Sequence, residues 1–266
     1  MNQITIKSKE GGKLISSITD WFESNPPKKD NQWRWDYSAK EAAYEYIVNS
    51  GNTLRQLLFH ENMAFDELTA VPEYETKIDN YKGEGRNHDL LVFDEERNVV
   101  IGVEVKCNES FDKNLKSKIQ KALKAKEDNS DSNQIDRIKH LKEEILKLSI
   151  DDESTNDVMY QLLTATAGTL VEANVRGAKE AILVIHTILN DKTIKKKHNE
   201  NNSALDRFTS LLFKDGSYRL DLFKLSEKII VDSDLYNENR IPLRIAKITN
   251  NSNSKMYRKL LAKFLY

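Results

Sequence analysis

Asn87-His88-Asp89-Leu90-Leu91-Val92-Phe93 and, beyond a short polar turn, Val99-Val100-Ile101-Gly102-Val103-Glu104-Val105-Lys106 decide how this chain folds. The intervening Asp94-Glu95-Glu96-Arg97-Asn98 is polar and short enough to close a hairpin. Side chains on a strand alternate faces. Val99, Ile101, Val103, Val105 and Cys107 therefore share one apolar face, and Val100, Gly102, Glu104 and Lys106 share the other. A core-facing strand has no need of Glu104 and Lys106 on one face, because unpaired buried charge is costly. Counting back across the turn sets Asp89 opposite the region from Gly102 to Glu104. The count leaves the register open, but either same-face register keeps Asp89 close to Glu104, and Gly102 leaves room where an ion would sit.

Two carboxylates and an amine at one place suit metal-dependent cleavage of a phosphodiester. Mg²⁺ takes oxygen ligands and is commonly held by one or two carboxylates with waters and phosphate oxygens; Asp89 and Glu104 would be those carboxylates. Such an ion lowers the pKa of a bound water and offsets charge on the phosphate. Lys106 would orient that water and stabilise the developing negative charge. Glu-x-Lys alone is a weak signal in a chain that is 31% charged, and it occurs twice, as Glu75-Thr76-Lys77 and Glu104-Val105-Lys106. Only the second ends an apolar strand behind a hairpin partner that carries Asp.

Asp89, fourteen intervening residues, then Glu104-Val105-Lys106 resembles the core of the PD-(D/E)xK nuclease superfamily, the fold of restriction endonucleases and many repair nucleases. The resemblance implies Asp89 and Glu104 as metal ligands and Lys106 as the catalytic lysine. It implies an assisting upstream acid, a place that Glu75 matches in Pro72-Glu73-Tyr74-Glu75, and a Gln on the helix after the catalytic strands, a part open to Gln161. His88 stands where the strict motif has Pro. Trp33-Arg34-Trp35 with Ser38-Ala39-Lys40-Glu41, Lys106-Cys107-Asn108-Glu109 and Tyr160-Gln161-Leu162-Leu163 are similar to uncharacterised bacterial proteins built on this core. The likeness spans roughly residues 30 to 215. It names a chemistry and a fold, not a substrate, and implies Mg²⁺ with Mn²⁺ as a substitute and a role in restriction or anti-phage defence; the expected partner is nucleic acid, taken as double-stranded DNA. Double-strand cutting calls for two active sites, hence a homodimer.

Composition bounds the rest. The length of 266 residues suffices for a substantial core. A net charge of -1 and a pI of about 6.6 argue against wholesale electrostatic binding of nucleic acid, so a DNA surface would be local. The single cysteine, Cys107, excludes an intrachain disulfide and suits a reducing cytosol. The N-terminus lacks an apolar leader core and no run is long enough to span a bilayer, which predicts a cytoplasmic protein without membrane attachment.

The expected fold is α/β, a central mixed sheet flanked by helices, with residues 1–30 as a helical lead-in and 31–266 as the nuclease-like domain. Helices are expected over Leu14–Phe22, Ser38–Asn49 with Ser38 as N-cap and Glu41 completing a capping box, Thr53–His60, the lysine-rich run to Lys126, Gln134–Leu148, Asp157–Arg176 and Ala204–Phe213. Asn25-Pro26-Pro27-Lys28-Lys29-Asp30 is read as a stop and Lys195–Ser203 as a mobile loop. Ala181–Ile185 reads as a strand buried on both faces, and Leu243–Ile248 as another. Lys113, Lys116, Lys121 and Lys124 fall roughly on one side of a helix, either tracking phosphates or forming a solvated face. Arg86 in Lys82-Gly83-Glu84-Gly85-Arg86, Arg244 and Lys247 are further candidates for phosphate contact. The five histidines show no zinc spacing, and His88 is read as structural. Trp33 and Trp35 are read as anchors of the N-terminal helices rather than base-stacking platforms. The contrasting function on the same fold is a non-cleaving nucleic-acid- or partner-binding module.

Overall fold

A computed structural model describes residues 3–10, 12–28, 30–63 and 65–264. Met1 and Asn2, in the expected 1–30 lead-in, and Lys29, in the expected 25–30 stop, lie outside these residues. The described chain folds around a seven-stranded mixed sheet in the order β1-β2-β3-β4-β5-β7-β6. The strands are β1 (Gln3–Ile6), β2 (Glu67–Thr76), β3 (Arg86–Asp94), β4 (Val99–Lys106), β5 (Glu180–Leu189), β6 (Ile229–Ile230) and β7 (Pro242–Asn251). The β2–β3, β3–β4 and β6–β7 pairs are antiparallel, whereas β1–β2, β4–β5 and β5–β7 are parallel. The α/β expectation therefore holds.

Helices cover both faces. On one lie α1 (Ile18–Ser24), α2 (Ser38–Ala43), continued by a π-helical turn at Tyr44–Val48, and α3 (Asn52–His60). They pack on Leu90, Val92, Ile101, Val103 and Val105, the apolar face read from β4. On the other lie α4 (Leu115–Asp128), α5 (Gln134–Leu146), α6 (Tyr160–Val175) and α7 (Lys195–Leu212), over Leu91, Phe93, Val100, Leu183 and Ile185. α8 (Ser254–Phe264) follows β7. β5 sends alternate residues into the two cores, which explains its uninterrupted apolar run. Among the described residues no helix is long and apolar enough to cross a membrane.

Several expected boundaries move. Residues 3–24 are no detached lead-in: β1 pairs parallel with β2, and Trp21 is buried against that sheet face. α1 starts only at Ile18, because Ser17 caps it through Asp20 N, while Leu14 bridges to Lys7. Ser38 lies inside α2 rather than capping it; Tyr37 occupies the cap, and Glu41 reaches back to Asp36 N at 3.1 Å. The expected loop at Lys195–Ser203 is the first half of α7. Asn201 there is buried, accepting from Phe111 N and donating to Glu109 O, and it heads a stripe with Ala204, Leu205, Phe208 and Leu212. Lys195, Lys196 and Asn199 are the solvated side of the same helix.

Candidate active site

The hairpin register settles the central question. β3 and β4 pair from Asp94↔Val99 to Leu90↔Val103, so the next step sets Asp89 across from Glu104. The backbone ladder ends there, and Val105 N–H donates to Asp89 Oδ2 at 2.6 Å. A side-chain carboxylate thus takes the acceptor place of a strand, letting β3 diverge and opening the sheet at this end.

β2 adds a third acid. Pro72↔Leu90 and Tyr74↔His88 flank Glu73, which places Glu73 opposite Asp89. Glu73 has φ +48°, a left-handed value that a side chain of this size adopts only when its surroundings impose it. The turn resets the alternation. Val71 packs toward the α6 layer, and beyond Glu73 so do Tyr74 and Thr76, the latter donating to Glu172 of α6 at 2.9 Å. His88 follows suit across the pair: it is buried, bonded to the Thr76 hydroxyl at 3.1 Å, and held neutral by burial and by the Arg86 charge. It is the satisfied structural histidine that was expected.

Glu104 is 1% exposed and fully engaged. Lys106 Nζ donates to its Oε1 at 2.7 Å, Gln161 Nε2 to the same atom at 2.5 Å, and Arg86 Nη2 to Oε2. Burial would raise the Glu104 pKa, but Lys106 and Arg86 outweigh it and hold the carboxyl below its ordinary value. Asp89 goes the other way: burial and the neighbouring Glu104 push it well up, against the pull of Lys106. Burial, with Glu104 as the repelling charge, lifts Glu73 to about 7 despite an Asn87 amide donating to it. Lys106 keeps its proton more firmly than usual, because Glu104 and Asp89 overcome its desolvation.

The structure therefore brings Asp89, Glu104, Lys106 and Gln161 together, the last also accepting from Asp112 N at 3.2 Å. It does not bring Glu75. That side chain is exposed and accepts from Gly85 N at 2.7 Å, since its strand partner is Asn87 rather than Asp89. Glu73 stands in its place. The register count from Asp89 could have found it, had β2 been recognised as the third strand; Pro72 in its middle masked the pattern. Gly102 also differs from its expected use. A Cβ there would lie 2.1 Å from Thr169 Oγ1, so the space admits α6, not an ion. Gly102→Ala is accordingly expected to destabilise the fold by about 1–3 kcal/mol in urea denaturation. Thr169→Ala should recover most of that in the double variant, and strictly additive losses would sink this packing account.

Glu73, Asp89 and Lys106 line a cleft of about 920 Å³, with Glu104 buried behind them, and its wall includes Arg34, Lys82, Arg86, Lys118, Arg137 and Tyr160. Lys28 and Glu84 bridge its rim at 2.6 Å. Of the lysine run only Lys118 reaches the cleft, paired with Asp112 at 2.5 Å; Lys116, Lys121 and Lys124 are exposed on α4, and Lys113, also exposed, precedes that helix. Arg244 pairs with Glu61 and Lys247 lies near Asp206, both away from the cleft. Trp33 stacks on Phe22 and Trp35 packs edge-on to Tyr44 and Tyr257, as anchors do. Among the described residues no three His, Cys, Asp or Glu side chains form a ready metal cage, and the Glu104 carboxylate is engaged by Arg86 and Lys106.

No curated protein and no solved structure matches this chain. Residues 14–252 match the model of DUF6946, a domain of unknown function, and the chain belongs to that family.

Proposed function

We infer that this protein is a divalent-cation-dependent nuclease that hydrolyses phosphodiester bonds of DNA, the PD-(D/E)xK-type chemistry that its sequence resembles. The observation that carries this reading is the meeting of Asp89, Glu104 and Lys106, with Glu73 and Gln161, on adjacent strands and one helix, all but the buried Glu104 lining one cleft. Asp89 and Glu104 would hold Mg²⁺ or Mn²⁺, with Glu73 as the third acid. The donor chemistry is compatible: all three are hard oxygen ligands, and burial together with the neighbouring Glu104 charge pushes Glu73 and Asp89 toward keeping protons that a bound cation would displace. A bound divalent ion supplies an activated water and offsets charge on the phosphate. Lys106 stays protonated and donates to the oxygen on which negative charge develops. Gln161 holds Glu104 in orientation. The substrate is double-stranded DNA, cut by a homodimer in the cytoplasm, with anti-phage defence as the fitting role.

The test is cleavage of supercoiled plasmid, single-stranded DNA and RNA by the purified chain in Mg²⁺, Mn²⁺ or EDTA. Cutting that needs the metal and favours plasmid is expected. No cutting of any substrate would return weight to the second reading, a non-cleaving module. One observation favours that alternative: both Glu104 oxygens already have cationic partners.

A further inference from the structure

Arg86 opens β3 and spans to Glu104 on β4, taking the carboxylate oxygen that Lys106 and Gln161 leave. Its side chain is 9% exposed, yet it borders the cleft, and its Nε has no hydrogen-bond partner among the described residues. The slot is built for it. A Cβ on Gly168 of α6 would come 2.8 Å from Arg86 Cγ, so the helix is left bare where this side chain passes. The Arg86 charge also draws on all three acids, Glu73, Asp89 and Glu104. A buried guanidinium with one donor unfilled is poorly satisfied, and its planar fork matches a phosphate edge.

We propose that Arg86 is an internal competitor for the divalent cation and, once displaced from Glu104, a ligand for a phosphate group in the cleft. The proposal rests on the metal-dependent nuclease reading. Two positive charges on one carboxylate oxygen repel strongly in a buried setting, so the Arg86–Glu104 pair and cation occupancy at that oxygen exclude one another. Freed, the guanidinium stands at the cleft wall with Nε and an Nη available side by side, the edge that binds phosphate oxygens in two parallel hydrogen bonds. Cation and nucleic acid then assist each other's binding through one residue, and each affinity changes the other by the same factor.

The test compares the full chain with Arg86→Gln and Arg86→Lys. Mn²⁺ binding is measured by calorimetry without nucleic acid, and binding of a fluorescein-labelled DNA oligonucleotide by anisotropy in Ca²⁺. Arg86→Gln is expected to bind Mn²⁺ about tenfold more tightly and the oligonucleotide more weakly. Arg86→Lys keeps the competing charge but not the fork, so its Mn²⁺ affinity should stay near wild type while oligonucleotide binding falls. A purely structural Arg86 would weaken both in step. Unchanged or weaker Mn²⁺ binding by a cooperatively melting Arg86→Gln overturns the proposal while leaving the nuclease reading in place; a wild type that neither binds Mn²⁺ nor cuts DNA overturns both.

Discussion

Lys106→Ala is expected to lower the rate of metal-dependent DNA cleavage by about a thousandfold, the upper range for removing one charge-stabilising donor, while the protein melts near the wild-type temperature. The catalytic half of this expectation follows from the lysine's protonation. Its Nζ sits 2.7 Å from Glu104 and its pKa is raised by Glu104 and Asp89, so at neutral pH it cannot accept a proton from water. It acts as a fixed donor and positive charge. The structural half follows from what remains. Without Lys106, Glu104 still has Arg86 and Gln161 as donors, so no buried carboxylate is stranded. Single-turnover cleavage and a thermal melt on the same preparation give both quantities. A variant that keeps a tenth or more of the rate would remove Lys106 from the chemistry.

Glu104→Ala makes the opposite case. It leaves two buried cations, Arg86 and Lys106, side by side with their shared carboxylate gone. Breaking a buried pair in this way costs about 3–5 kcal/mol, so lost activity in that variant reports instability as well as chemistry. The sequence alone suggests that either residue can be removed with the fold intact; the ion pairs restrict that to Lys106.

How much of this was legible in the sequence differs by residue. The hairpin, its two faces and the nearness of Asp89 to Glu104 follow from alternation and a short polar turn, because both strands are long and one face is wholly apolar. Gln161 was reachable through resemblance alone; nothing in Tyr160-Gln161-Leu162 says which way a mostly buried helix points it. Glu73 was missed, since strict alternation treats Glu73 and Glu75 as equivalent; the register with β3 and the left-handed backbone at Glu73 separate them. β1 is four residues long and draws its order from β2, so no local periodicity announces it. The lysine run illustrates the limit of charge patterning: on a helix beside the site, position around the axis decides that Lys118 faces the cleft while its neighbours face solvent.

Glu73 should also contribute stability to the metal-free protein that is lost as pH rises from about 5 to about 7.5, a contribution that Glu73→Gln removes. Burial and the Glu104 charge lift its pKa from an ordinary 4.5 to about 7. A carboxyl with a raised folded-state pKa binds its proton more tightly in the folded chain. The stability this brings is complete below the unfolded value and is lost as pH climbs through the folded one. At about 1.4 kcal/mol per pH unit, the loss across that window is about 3 kcal/mol. Asp89, also raised, contributes in the same direction. Glu104 does not interfere: its pKa is lowered, so its contribution is present above the ordinary value of 4.5 and fades only at more acidic pH. Urea midpoints in EDTA across the range, wild type against Glu73→Gln, measure the difference. Gln is neutral throughout and can still accept from the Asn87 amide, so the variant should show a curve flatter by about that amount. Parallel curves would mean that Glu73 titrates normally and stands outside the cluster. Saturating Mn²⁺ binds the deprotonated forms of the acids, so it should remove the Glu73-dependent loss of stability with rising pH. A fall that persists unchanged in Mn²⁺ would separate Glu73 from the cation site even if its raised pKa were confirmed.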